Sequence, residues 1–273
     1  MNRTTARDRI TCVILDWAGT IVDFGCRAPV SAFITTLSEA GIMIGEAAAR
    51  GPMGLEKRAH LRELLALPDI AAQWTRRHGT PPDDAALDRL FERFRVVQRD
   101  GLADHADLIP GLLPAIAALR AGGIRIGSNS GYDRSMIDIV ASAAAKAGFI
   151  PDAITASDEV ARSRPFPDIA WHVATTLGAA AARFCVKVDD TPVGIAEGVN
   201  AGMWSIGITD SGNEIGLARD AWEALAPDEA ASRRHKADAA LSAAGAHLVI
   251  NTIADLPAAI QILDAQLATG ARP

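Results

Sequence analysis

Cysteine is scarce in this chain: Cys12, Cys26 and Cys185 are the three among 273 residues. They form no Cys-x-x-Cys pair, so the pattern implies neither a disulfide framework nor a thiolate metal clip. Buried or incidental thiols in a reducing compartment are the plain expectation. A block of positive charge is also missing: Lys and Arg number 27 against 33 Asp and Glu, for a net charge of −6. That argues against nucleic acid or an anionic membrane as partner. A small anionic substrate stays open, because it needs only a local basic site. No apolar run approaches the ~20 residues of a membrane span. Met1–Arg9 is polar and does not read as a secretory signal, so a cytoplasmic location is expected by elimination. What is present is ordinary for a soluble globular protein: 49% hydrophobic and 22% charged residues. The length suits one large α/β domain, or a domain with an insertion, whose core needs no staple.

The patterning changes along the chain. Thr11–Leu15 is a short apolar run that Asp16 ends and Ala18-Gly19-Thr20 turns, which predicts a buried parallel strand. From about Arg27 to Gly101 helical periodicity dominates, over Val30–Leu37, Met53–Leu67 and Ala85–Val97, with no convincing strand. After Pro110 strands and helices alternate. The strands are expected at Ile124–Gly127, Ala153–Thr155, Phe184–Val188, Trp204–Ile208 and His247–Ile250. The helices are expected at Leu112–Arg120, Arg134–Ala147, Ile169–Leu177, Gly194–Ala201 and Leu256–Leu267. Such alternation implies a parallel sheet wound by right-handed crossovers. The expected fold is α/β: a Rossmann-like core over residues 1–25 and 102–273, interrupted after its first strand by an all-helical cap over 26–101.

Ligands of open α/β sheets sit beyond the carboxyl ends of the strands. The polar residues there are Asp16, Ser128-Asn129-Ser130-Gly131 and Asp189-Asp190-Thr191. Asp16 alone would be an unremarkable turn carboxylate. With Asp189 and Asp190 at a second strand end, the acids repel unless a cation lies among them. Mg²⁺ fits, since one or two carboxylates plus a phosphoryl oxygen suffice for it. Ser130 and the amides near Gly131 are candidate phosphoryl-oxygen donors. Arg164, in Ser163-Arg164-Pro165, reads by itself as a solvated surface residue.

Val13-Ile14-Leu15-Asp16-Trp17-Ala18-Gly19-Thr20 resembles the first motif of the haloacid dehalogenase superfamily. Ser130, Arg164 and Asp189-Asp190 fall where that superfamily has its second, third and fourth motifs, in the right order. Phosphatases of the superfamily usually carry a second acid two residues after the nucleophile. Here that position is Ala18, which cannot donate a proton. Gly51-Pro52-Met53-Gly54-Leu55-Glu56-Lys57-Arg58-Ala59-His60 resembles the Schiff-base helix of the phosphonoacetaldehyde hydrolases. Val22-Asp23-Phe24-Gly25-Cys26, Ser130-Gly131-Tyr132, Arg164-Pro165 and Ala201-Gly202-Met203-Trp204 are similar to that family too, so the likeness runs from about residue 10 to 265. As a helix from Pro52 onward, the stretch is expected to set Met53, Lys57 and His60 on one face.

The resemblance implies hydrolysis of a carbon–phosphorus bond in the degradation of 2-aminoethylphosphonate. It gives Asp16 as nucleophile, Lys57 as imine-forming amine, and Mg²⁺ held by Asp16, the Ala18 carbonyl and Asp190. Met53, His60, Ser130, Gly131, Arg164 and Cys26 are the supporting residues. It also implies a homodimer through the cap, with Val30, Phe33 and Ile34 serving that contact or the cap interior. One position departs from the superfamily: Gly194 stands where a further acid is common, and Asp189 is the candidate to replace it. The rivals are a phosphate-monoester phosphatase, a metal-free dehalogenase and a catalytically silent binding module. The first expects an acid at position 18, the second expects no acidic pair, and the third expects no Lys57–Asp16 partnership.

Overall fold

The computed structural model describes residues 8–273, so most of Met1–Arg9 and the first seven residues of the expected core segment lie outside it. Strand β1, Cys12–Leu15, is buried at every position. Its side chains alternate between two apolar clusters: Val13 and Leu15 in one, Cys12 and Ile14 in the other. That alternation is what a strand covered on both faces requires. Five helices follow in the insertion: α1 Arg27–Glu39, α2 Glu46–Arg50, α3 Lys57–Ala66, α4 Pro68–His78 and α5 Asp84–Leu102. They form the helical cap, with α1 and α3 packed on α5.

The chain then alternates through α6 Leu112–Ala121, β2 Arg125–Asn129, α7 Arg134–Lys146, β3 Ala153–Thr155, α8 Asp168–Thr176, β4 Cys185–Asp189 and α9 Pro192–Asn200. It closes with β5 Trp204–Ile208, α10 Arg219–Glu223, α11 Pro227–Ala243, β6 Leu248–Ile250 and α12 Leu256–Ala268. All six strands are parallel, in the order β3-β2-β1-β4-β5-β6. The winding reverses at β1, so a crevice opens at the carboxyl ends of β1, β2 and β4. The expected α/β core with an inserted helical cap is therefore the observed fold.

Three local expectations change. Met53 and Pro52 lie in a turn, not on a helix, which begins only at Lys57. Two features of the chain place that start. Gly54 has φ +94°, which no helix continues through. The Glu56 carboxylate then accepts the Arg58 and Ala59 N–H groups at 2.8 and 3.0 Å, capping the first turn. Helices α4 and α11 were not apparent in the patterning. α4 buries only Ile70 and Trp74, and α11 only Ala237 and Leu241, so each carries a thin apolar stripe.

Candidate active site

Asp16 follows β1 directly, and its backbone N–H still donates to the Val188 carbonyl at 3.0 Å. That ladder bond carries the carboxylate to the mouth of the crevice beside Asp189 and Asp190. Ligand oxygens of these three acids lie within 4.8 Å of one another. The Trp17 indole donates to Ser128 Oγ at 3.1 Å, locking the β1 and β2 ends together. Ser128 is thereby engaged in the scaffold, while Ser130 and Gly131 line the cavity. The Tyr132 N–H donates to Ser130 Oγ at 3.1 Å and fixes that rotamer.

Arg164 is not a surface residue: its side chain is 1% exposed. Nη2 lies 2.8 Å from Asp16 Oδ1 and donates to Asn129 Oδ1 at 2.7 Å, while Nε donates to Glu197 Oε2 at 2.8 Å. Burial opposes its charge, but Asp16, Glu197 and Asp189 more than compensate and raise its pKa further. Glu197 and Lys187 were not singled out from the sequence, and both are fully buried here. A signal existed for Glu197. It is an acid on the buried face of α9, with Gly194, Ile195 and Gly198 beside it.

Asp189 and Asp190 have different surroundings. Lys187 Nζ donates to Asp189 Oδ2 at 2.6 Å, and the Thr191 N–H and Oγ1 donate to Oδ1 at 3.0 and 2.7 Å. Burial pushes the Asp189 carboxyl up, but Lys187 and Arg164 outweigh it and hold it below the usual range. A Cβ at Gly194 would collide with the Asp189 carboxylate. The space that an acid at position 194 would need is thus taken by Asp189. Asp190 instead accepts from the Asn213 N–H at 2.8 Å and from Cys26 Sγ at 3.0 Å. Burial, then the charges of Asp189 and Asp16, push its carboxyl well above the ordinary range. Asp16 is also raised, by burial acting against Arg164.

These surroundings fit a divalent cation. Asp16, Asp189 and Glu197 converge on Arg164 and Lys187, and Asp190 beside them has no cationic partner among the described residues, which leaves acid in excess. Asp16 Oδ1 is buried and has no aligned hydrogen-bond donor. Asp189 accepts from Lys187 and Thr191, Asp190 accepts from Asn213 and Cys26, and Asp16, Asp189 and Asp190 together are the acids that could hold a metal ion. Ala18 lines the same cavity.

The cap supplies the opposite wall. Lys57 is 5% exposed and lies over the rings of Tyr132 and Phe33, with Nζ 5.1 and 5.9 Å from their centroids. Burial lowers its pKa to about 8, despite the nearby carboxylate of Asp16. His60 is fully buried and stacks on Phe33, centroids 3.8 Å apart. Its Nε2 is 2.9 Å from the Ala49 carbonyl, so that nitrogen carries the hydrogen and Nδ1 is left unpartnered. Burial and the Lys57 charge push its pKa down to about 2, so the ring is neutral. Met53 reaches the cavity from the preceding turn, alongside Cys26, whose thiol is pushed well up by burial and Asp190. Asp16, Ala18, Cys26, Met53, Lys57, Ser130, Gly131 and Arg164 thus meet around one narrow space of about 20 Å³. Two expected site residues do not line this space: Asp190 lies beside Asp16 behind it, and His60 stands one helical turn behind Lys57.

Comparison with known proteins agrees with this arrangement. A family model described as haloacid dehalogenase-like hydrolase matches residues 10–202. The phosphonoacetaldehyde hydrolase of Paraburkholderia xenovorans is 43% identical over 264 residues, covering 97% of this chain and 99% of that protein. That of Bordetella avium is 44% identical, covering 97% of this chain and 95% of its own. The crystal structure of a phosphonoacetaldehyde hydrolase-like protein from Oleispira antarctica superposes with a TM-score of 0.97 at 40% identity. It covers 100% of this chain and 99% of that one. The chain belongs to the haloacid dehalogenase-like hydrolases and, within them, to the phosphonoacetaldehyde hydrolase family.

Proposed function

We propose that this chain hydrolyses phosphonoacetaldehyde to acetaldehyde and phosphate through a Lys57 imine and an Asp16 aspartyl-phosphate, in the degradation of 2-aminoethylphosphonate. The observation that carries this reading is a buried lysine, lowered to about 8, sharing a cavity with a strand-end aspartate and an alanine at position 18.

The neutral Lys57 amine adds to the aldehyde carbon, and loss of water gives the protonated imine. The imine withdraws the electron pair of the carbon–phosphorus bond. Asp16 takes the phosphoryl group in line while an enamine departs. An enamine carbon leaves without needing a proton at that moment, which is why Ala18 suffices where an oxygen leaving group would need an acid. Protonation of the enamine at carbon regenerates the imine. Water then hydrolyses the imine to acetaldehyde and the acyl phosphate to phosphate, freeing both residues. Arg164, aimed by Glu197 and Asn129, and Ser130 with the Gly131 amide would hold the phosphoryl oxygens. His60, held neutral with a pKa of about 2, is too weak a base to take the proton that Lys57 sheds, and would support Lys57 by packing one helical turn behind it. Mg²⁺, held by Asp16, Asp190 and the Ala18 carbonyl, would neutralise phosphoryl charge when bound.

The cavity of about 20 Å³ has room for roughly one water. Substrate therefore enters only when the cap, residues 26–101, moves off the core, and closure excludes solvent from the imine. Val30 and Phe33 belong to the cap interior, since both are buried. A homodimer through the cap would instead use exposed apolar residues such as Met43 and Leu67, 67% and 40% exposed. No helix among the described residues is long and apolar enough to cross a membrane.

The test is borohydride trapping with phosphonoacetaldehyde, followed by mass analysis of the Lys57 peptide. An adduct on Lys57, with acetaldehyde and phosphate released in the unreduced control, is expected. No adduct and no phosphate would sink the proposal and turn attention to a panel of phosphate monoesters.

A further inference from the structure

Arg50 ends α2, just before the turn that carries Met53 toward Lys57. Its Nη1 donates to the Gly25 carbonyl at 2.8 Å and toward Asn213 Oδ1 at 3.4 Å, and its Nη2 donates to the Gly216 carbonyl at 2.8 Å. Asn213 Nδ2 donates back to the Arg50 carbonyl at 3.4 Å. The backbone N–H of the same Asn213 donates to Asp190 Oδ2 at 2.8 Å. Gly25 in turn donates to the Ser211 carbonyl at 2.8 Å, and Ser211 Oγ donates to the Gly19 carbonyl at 2.6 Å. One guanidinium of the cap thereby joins the first cap linker to the loop after β5, and that loop touches Asp190.

An ion pair does not account for this placement. The side chain is 15% exposed, and its acidic neighbour, Glu46, is 3.6 Å away and 70% exposed. The remaining partners are neutral oxygens, set where a rigid planar fork reaches two carbonyls and an amide at once. None of the Arg50 atoms lines the reaction cavity. The turn that follows is itself seated on the core, Gly54 against Thr191 and the Leu55 carbonyl against Gly131. Arg50 is therefore the charged anchor at the upstream end of the stretch that delivers Lys57.

We propose that Arg50 is a positioning residue that clasps the closed cap to the 211–216 loop and so holds the Asp190 carboxylate in its metal-binding place. When the cap opens, Asn213 loses its side-chain partner and the loop is freed. Asp190 then loses the steadiness of its one backbone donor. Closure of the cap and completion of the metal site become one event, so phosphoryl transfer is armed only after Lys57 has been brought in. This rests on the metal role assigned to Asp190 above.

The test compares Arg50→Ala, Arg50→Lys and Asn213→Ala with the parent enzyme by hydrogen exchange and by Mn²⁺ binding followed by electron paramagnetic resonance, without substrate. Arg50→Ala is expected to speed exchange in the peptide spanning 210–217 by about tenfold or more, leaving the β4 peptide protected. Mn²⁺ affinity should fall by about tenfold, since a fixed carboxylate becomes a mobile one. Arg50→Lys should recover part of both, because an ammonium reaches one carbonyl but not the full set. Asn213→Ala keeps the backbone donor and should weaken Mn²⁺ in the same direction by less. Unchanged loop exchange, or Mn²⁺ affinity within twofold of the parent in Arg50→Ala, overturns the proposal. If Arg50→Ala loses protection throughout, Arg50→Lys and Asn213→Ala decide alone, and parental values in both overturn it. Glu46→Ala, which removes only the exposed ion pair, should leave both readings within twofold. A parent enzyme that releases no phosphate from phosphonoacetaldehyde would sink the functional reading and leave this exchange test standing.

Discussion

The two walls of the active site are both buried, yet they treat charge in opposite ways. On the cap side Lys57 and His60 stand among Phe33, Met53 and Tyr132, and burial drives both toward their neutral forms. On the core side Asp16, Asp189 and Glu197 interlock with Arg164 and Lys187, and Arg164 is held charged. The lesson is that burial alone does not set a group's charge: what lines the cavity does. An apolar wall lowers the pKa of an amine, and a wall of paired ions keeps its charges.

The largest effect should come from crossing the two regimes. Lys57→Arg keeps a cation but cannot form an imine, and phosphate release should fall about a thousandfold or more. A rate within tenfold of the parent would break the division. Asp16→Asn should lose phosphate release on a similar scale, about a thousandfold, while borohydride still traps the Lys57 adduct. Loss of both signals would mean that the halves are not separable. Removal of the divalent metal by a chelator should mimic Asp16→Asn, with phosphate release lost and the adduct kept.

Stability should sharpen the same contrast. Glu197→Ala removes the buried acid that pairs with Arg164 Nε and should cost about 3–5 kcal/mol in urea denaturation. Phe33→Ala, which removes the ring stacked between His60 and Phe94, should cost a similar 3–5 kcal/mol or so through a cavity instead of a charge. Salt should shift the two variants alike, because neither site is screened.

A smaller effect is the pH dependence of adduct formation. The lowered Lys57 pKa means that the reactive neutral form grows as pH rises. The trapping rate should climb about tenfold per pH unit below the value of about 8 and level off above it. A rate that falls with rising pH would contradict a neutral amine. The smallest change lies away from both walls. Asp83 caps α5 by accepting the Ala86 N–H at 2.7 Å, and Asp83→Ala should cost about 1 kcal/mol with no change in rates.

Much of this was legible along the chain. Short apolar runs closed by turn residues marked the strands, and β3 and β5 fall where the patterning set them. The polar residues at their carboxyl ends marked the crevice, because a parallel sheet leaves its loops there. Helices α4 and α11 were not legible, since two buried residues each give too little periodicity. Met53 was set on a helix because helical spacing takes no account of the left-handed Gly54.

The amino-acid sequence by itself determined the parallel α/β core with a helical insertion, the aspartate at the end of β1, the alanine at position 18, and the lysine of the cap. These are local facts, readable as residue types at fixed offsets. Only the tertiary structure decided that Arg164 is buried and pairs with Glu197, that Lys187 pairs with Asp189, and that Asp189 fills the space left by Gly194 while Asp190 is held by Asn213 and Cys26. It alone brought Arg50 onto the loop that touches Asp190. The reason is physical: charge state and partnership depend on what is near in space, and residues 16, 57, 164 and 190 become neighbours only once the sheet is wound and the cap is closed over it.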